Sequence, residues 1–331
     1  MSRLKLTMAC GNYDRTRALI DGTVQAEGVD LNYLPMVPGE TFWRMLNNAE
    51  FDVAEMSLSS YTILRSRGDE RFIALPVFTS RIFRHSAIYI NADAGISVPT
   101  DLKGKRIGVG DYQMTAAVWV RGLLQDDYQI RPEDLSWTVG KAVQQIELPK
   151  NVSVRSAGQD APETLLERGE LDALISVMLP RTLNQPGSQI RRLFPDFRQV
   201  ETDYYQRTGI FPIMHTVVIR TDLYQAYPWL AISLYKALVR ARQLCFSRLY
   251  NTDALGVSLP WLIDELEKTR QLMGEHYWDY SIQGSLPTLQ ALTRHLHEQG
   301  LTTRQMPLEQ LFVSNIQDGL HQYLHGTGED R

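Results

Sequence analysis

The chain has 331 residues, room for two domains of ordinary size, with 34 Lys+Arg against 38 Asp+Glu and a net charge of −4. That balance, with no basic block, argues against a nucleic-acid surface, and no apolar run approaches the roughly 18 residues that a membrane span needs. Cys10 and Cys245 stand too far apart in sequence for a disulfide framework to be expected.

The opening stretch MSRLKLTMACGNYDRTRALI carries no apolar signal core and cleavage site, so a cytoplasmic location is expected. Residues 4–10 read as a strand, 15–26 as a helix stopped by Gly28, and 30–36 as a second strand. Pro38 and Gly39 mark a turn before a helical pattern over 41–48 with Phe42, Met45 and Leu46 on one face. Residues 52–56 form a third strand, and Ser59 or Ser60 caps a helix running to Arg67. Residues 72–78 and 85–91 are further strands. The β-α-β-α-β order predicts a largely parallel sheet.

The segment 92–100 reads as a crossing point, after which a new α/β unit begins. DLKGKRIGVGDYQMTAAVWVRGLL (101–124) is a strand over 106–109, a loop, then an amphipathic helix. The loop therefore sits at a strand's carboxyl end and a helix's amino end, where free N–H groups and the helix dipole favour an anion. Strands follow at 136–139, 152–156 and 173–177, with a helix over 162–168 and loop with short helices over 179–199. FPIMHTVVIR (211–220) reads as a strand returning to the first lobe. Helices are then expected over 229–250, 261–274, 286–299 and 308–324. The predicted fold is α/β with two lobes, two hinge crossings and a helical C-terminal segment. Residues 1–92 and 210–331 make the first lobe and 93–209 the second, with the ligand cleft between them.

The strand ends supply the candidate site. GVGDYQ fails the dinucleotide fingerprint, because Gln113 stands at the third glycine, and it lacks the Lys-Ser/Thr ending of a phosphate loop. Tyr112, Gln113 and Thr115 suit a carboxylate instead. In the first lobe, CGNYDR and AEMSLSS end strands one and three, which offers Arg15, Ser57 and Ser59 to a ligand. Glu55 lies in an otherwise apolar strand, where burial would raise its pKa and fit it for proton transfer; otherwise it is a surface residue or an arginine's partner. Arg15 either holds an anion or solvates its helix. RIFRHSAIYIN places Arg84 and His85 at the first crossing and IMHT places His215 near the second. Arg181, after VMLP, is either a carboxylate clamp or a surface cation. Cys10 reads as a packed small residue. His321 and His325 have i, i+4 spacing but lack the glutamate of the zinc-protease motif, so no metal site is assigned. There is no Gly-x-Ser-x-Gly elbow and no Cys-x-x-Cys pair.

Taken in order, NYDRTRALIDG, EGVDLNYL, FDVAEMSLSSY, FRHSAIYIN and DLKGKRIGVGDYQMTAAVWVRGLL resemble the 4,5-dihydroxyphthalate decarboxylases over most of the chain. The resemblance implies a type II periplasmic-binding-protein-like fold and non-oxidative decarboxylation of an aromatic acid. Such chemistry needs an acid over the ring carbon, a base near the para hydroxyl and cations for the remaining carboxylate. His85 is the first choice for the acid and Glu55 or His215 for the base. Arg15, Arg84 and Arg181 are the candidate carboxylate ligands, with the helix start at Tyr112–Thr115 assisting. No cofactor is expected, since the phenol itself supplies the electrons, although His and Glu would suit a divalent ion. The expected partner is a small aromatic carboxylate, with neither nucleic acid nor membrane, and the helical C-terminal third offers surface for self-association. The alternative is a cytoplasmic binding protein for a carboxylate or a thiamine-precursor-like ligand, without catalysis.

Overall fold

The computed structural model describes residues 3–140 and 146–316. The chain opens with β1 (Leu4–Cys10), a 3₁₀ turn (Asp14–Thr16), α1 (Arg17–Ile20), β2 (Val29–Pro35), α2 (Pro38–Asn48), β3 (Val53–Ser57), α3 (Leu58–Ser66) and β4 (Phe72–Arg81). A 3₁₀ turn (His85–Ala87) leads to β5 (Ile88–Asn91), β6 (Arg106–Val109), α4 (Thr115–Tyr128), β7 (Ser136–Val139), β8 (Ser153–Ser156), α5 (Pro162–Glu167), β9 (Ala173–Ile175), β10 (Ile190–Arg192) and α6 (Phe197–Thr208). The return is β11 (Ile213–Arg220), followed by α7 (Thr221–Ala226), α8 (Trp229–Leu249), α9 (Leu262–Met273) and α10 (Leu286–Glu298).

Two mixed sheets form two lobes. The first runs β2-β1-β3-β11-β4, with β1 parallel to β2 and β3, and with β11 antiparallel between β3 and β4. The second runs β10-β5-β9-β6-β7-β8 and is parallel from β9 to β8. Strand β5 belongs to this second sheet, where it pairs with β9 and β10. The chain passes from β4 of the first sheet to β5 of the second over residues 82–87, ahead of the boundary expected at residue 92. The two crossings touch there, since the Ile82 N–H donates to the Pro212 carbonyl at 3.1 Å.

Local chemistry accounts for the other departures. The helix expected over 15–26 ends at Ile20, because Gly22 takes φ +78° and the Asp21 side chain accepts the Thr23 N–H. Pro38 opens α2 rather than preceding it, as suits a residue with no N–H to leave unpaired. Ser57, not Ser59 or Ser60, caps α3. Helices α6 and α7 and strand β10 appear where loop or nothing was expected. The 308–324 helix is a 3₁₀ turn over Leu308–Gln310, and its part beyond residue 316 lies outside the described residues, as do His321 and His325.

The C-terminal segment spans both lobes. Helix α10 packs on α3 and α4, and Phe312 bridges to Ala74 of β4. Among the described residues no helix is long and apolar enough to cross a membrane.

Candidate active site

Strand β3 is buried at all five positions, and Glu55 at its centre is fully inaccessible. Alternation puts Glu55 and Ser57 on one face, and the register with β11 sets Val217 opposite Glu55 and His215 opposite Ser57. His215 thus stands diagonally across from Glu55, with Nδ1 2.7 Å from Oε1. The same oxygen accepts the Tyr13 hydroxyl at 2.7 Å and the Thr79 hydroxyl at 2.8 Å. Oε2 accepts the Gly11 N–H at 2.9 Å and the Cys10 thiol at 3.6 Å. Gly11 is required for this arrangement, because a Cβ there would come within 2.5 Å of the Tyr13 ring.

Burial by itself would raise the Glu55 carboxyl. The positive charge and hydrogen bond of His215, with the bonds from Tyr13 and Gly11, outweigh it and hold the group at about 2. The elevated pKa expected for Glu55 is thus reversed: it is a permanent carboxylate and not a proton donor. A carboxylate only accepts, so His215 carries its proton on Nδ1. The His215 ring packs edge-on against Phe42 at 4.9 Å and keeps 19% of its side chain exposed. Among the described residues Nε2 has no hydrogen-bond partner, which fits it for exchanging a proton with a ligand.

Beside this pair the two lobes meet. Ser57 Oγ lies 2.9 Å from Thr115 Oγ1 and 3.2 Å from Ser59 Oγ. Ser59 Oγ is 3.0 Å from Thr115 Oγ1 and donates to the Gln113 carbonyl at 2.5 Å, and its N–H donates to Thr115 Oγ1 at 3.2 Å. These residues start α3 and α4, so two helix N-termini converge on one hydroxyl cluster. Hydroxyls donate as well as accept, and together with two positive dipole ends they make the spot favourable for a carboxylate.

The remaining predicted residues lie elsewhere. His85 is 2% exposed at the first crossing, packed edge-on against Phe194 at 5.4 Å and Tyr204 at 5.1 Å, with Nδ1 unpartnered among the described residues. Burial pushes its pKa down to about 4, so it is a neutral wedge in the second lobe and carries no proton to give at neutral pH. Arg84 is buried with Nε 3.2 Å from Met214 Sδ. Arg15 donates Nε to the Thr79 carbonyl at 2.7 Å and stacks between Tyr13 and Trp278, beside the dyad but already engaged. Tyr112 is packed inside the second lobe against Trp137, and Gln113 reaches the cluster through its carbonyl. The Arg181 side chain is exposed on a loop whose N–H binds Glu163. Sequence reasoning missed Tyr13, Thr79, Gly11 and Phe42, which carry no motif and meet Glu55 and His215 only through strand pairing.

Asp126, His295 and Glu298 place ligand atoms within 4.8 Å of one another, but Arg294 already pairs with both carboxylates. Asp126 is eleven residues along α4 from Thr115, roughly 16 Å of helix away from the cluster. A cavity of about 770 Å³ between α6 and α9, lined by Phe83, Glu201, Lys268 and Leu272 among others, includes none of the residues around Glu55. The site is instead the closed junction between the lobes.

Comparison with known proteins agrees with this architecture. Residues 14–172 match the family model for periplasmic substrate-binding proteins of phosphonate ABC transporters. A curated relative from Comamonas testosteroni, named 4,5-dihydroxyphthalate decarboxylase, is 39% identical over 320 residues, covering 94% of this chain and 97% of that one. A second of the same name, from Pseudomonas putida, is 41% identical over 220 residues, covering 62% of this chain and 83% of its own. Among solved structures, the alkanesulfonate-binding protein SsuA of Xanthomonas axonopodis pv. citri superposes with a TM-score of 0.54 at 12% identity, covering 92% of this chain and 96% of its own. That likeness bears on the fold alone, which is the two-lobed periplasmic-binding-protein arrangement.

Proposed function

This chain belongs to the 4,5-dihydroxyphthalate decarboxylase family and is a decarboxylase, a carboxy-lyase; we propose that its substrate is 4,5-dihydroxyphthalate and that His215, held by Glu55, delivers the proton that replaces CO₂. The observation that carries this reading is the 2.7 Å contact between His215 Nδ1 and a fully buried carboxylate, next to a hydroxyl cluster at two helix N-termini.

Each carboxylate of the substrate is para to a hydroxyl. The para oxygen pushes electrons into the ring, and protonated His215 gives its Nε2 proton to the ring carbon bearing the departing carboxylate. The C–C bond then breaks, CO₂ leaves with its carbon, and the bonding pair restores the aromatic ring. The net change is one proton taken up and one CO₂ released, giving protocatechuate. Solvent reprotonates His215 between turnovers. Glu55 fixes the ring's orientation through Nδ1 and sets a negative charge beside it. The carboxylate that stays would lie at Ser57, Ser59 and Thr115, displacing their mutual hydrogen bonds, while Phe42 offers the ring an apolar edge. No electron-sink cofactor enters this scheme.

Incubation with 4,5-dihydroxyphthalate, following CO₂ and protocatechuate, tests the proposal. Stoichiometric release of both supports it. A substrate that raises the melting temperature but is never consumed would favour a binding protein for aromatic acids.

A further inference from the structure

Behind the anion-binding loop lies a buried charge that the scheme above does not use. Arg121, in the second turn of α4, is 1% exposed, and no carboxylate among the described residues lies within ion-pair distance of it. Taking a guanidinium out of water without a direct counter-ion is costly, so such a group is expected to be held by geometry that compensates it. Helical side chains lean toward the amino end. Arg121 accordingly folds back over the Tyr112 ring, with its guanidinium carbon 3.9 Å from the ring centroid, and Trp137 flanks it at 5.4 Å. Nη2 donates to the Tyr112 carbonyl at 2.8 Å and Nε donates to Gln299 Oε1 at 2.7 Å, while Nη1 has no partner among the described residues. Gln299 is itself fixed, through Nε2 to the Val118 carbonyl at 2.9 Å.

We propose that Arg121 is a positioning residue for the substrate's carboxylates: it anchors the Gly110–Thr115 loop through the Tyr112 carbonyl and supplies buried positive charge behind the N-terminus of α4. The loop's next residue, Gln113, gives its carbonyl to Ser59, so the peptide held by Arg121 adjoins the one that docks on the first lobe. The guanidinium lies in a low-dielectric interior, where its field reaches the cleft with little screening. It adds to the helix dipole at the start of α4, against the opposing charge of Asp111 in the same loop. Gln299, immediately after α10, extends the anchor to the C-terminal segment, which ties loop geometry to a helix that also contacts the first lobe.

This inference rests on the reading that the cleft takes an aromatic dicarboxylate, so its test uses unreactive ligands of graded charge. Dissociation constants are measured calorimetrically for phthalate, benzoate and benzamide with the full-length wild type, Arg121→Met, Arg121→Lys and Gln299→Leu. Arg121→Met is expected to weaken phthalate about tenfold, benzoate less, and benzamide hardly at all. Arg121→Lys keeps the charge and recovers most of the loss. Gln299→Leu, which frees Nε alone, gives a smaller loss in the same order, and it and Arg121→Lys carry the test should Arg121→Met not fold. A loss equal for all three ligands, or undiminished phthalate binding in a folded Arg121→Met or Gln299→Leu protein, overturns the role of Arg121. Failure of the decarboxylase reading shows separately, as no product from the wild type.

Discussion

His215 Nδ1 and Glu55 Oε1 sit 2.7 Å apart although 160 residues separate them, because β11 returns to the first lobe antiparallel to β3. Every other partner of that carboxylate, from Cys10, Gly11, Tyr13 and Thr79, comes from a neighbouring strand end or strand. The fold thereby keeps a negative charge in its interior whose ring partner stands opposite Ser57 of the hydroxyl cluster.

Replacing His215 by Asn removes the proton carrier while leaving a group that can still donate to Glu55. Turnover of 4,5-dihydroxyphthalate should fall by about 10²–10⁴-fold, with the melting temperature little changed. Steady-state kinetics with a thermal melt checks this; a folded variant with near-normal kcat removes His215 from the mechanism.

Glu55→Gln keeps the shape but deletes the negative charge that faces the His215 ring. The rate should drop by about 10²-fold, and stability by about 2–4 kcal/mol, since five protein donors lose a charged acceptor. For the carboxyl held at about 2, the sign is that of a depressed acid: its stabilisation is full above the ordinary carboxylate range and is lost as pH falls toward 2. The wild-type rate profile near neutrality therefore should not titrate Glu55.

His85 makes the opposite case. Its pKa is pushed down to about 4 by burial, against 6.5 for a free histidine, so the unfolded chain binds the proton first as pH falls. The associated stability is full above about pH 6.5 and disappears toward pH 4, on the order of 3 kcal/mol. Urea melts across that window should show a shallower pH slope in His85→Gln, with kcat near wild type. Loss of turnover in a folded His85→Gln would restore the proton-donor role to this residue.

Ser59→Ala with Thr115→Val removes two of the cluster's three side-chain hydroxyls, one at each helix start. KM should rise about tenfold with a smaller change in kcat, as for a group that binds ground and transition states alike. Arg181→Gln, on its exposed loop, should leave both constants unaltered; a raised KM in that variant would make the loop part of the site.

The strand ends, the two lobes and the strand–loop–helix start of α4 were legible in the sequence, because alternation and strand–helix punctuation are local signals. Glu55 was legible as a lone acid in an apolar strand, but the sign of its pKa was not: that depends on His215 and Tyr13, which only strand pairing brings to it. His85 misled for a related reason. RHSAIYIN reads as one strand, yet the strand starts at Ile88 and pairs in the second sheet, which turns His85 toward Phe194 and Tyr204. Ser57 and Thr115 were each visible as helix starts, whereas their 2.9 Å contact needed the closed junction of the lobes.

The most direct test of the account is single-turnover decarboxylation of 4,5-dihydroxyphthalate in D₂O by wild type and His215→Asn, read by proton NMR of the product. The account predicts protocatechuate from the wild type carrying one deuterium at the vacated ring carbon, and a rate reduced by about 10²-fold or more in the variant. Equal rates in the two proteins, or no protocatechuate from either, would contradict it.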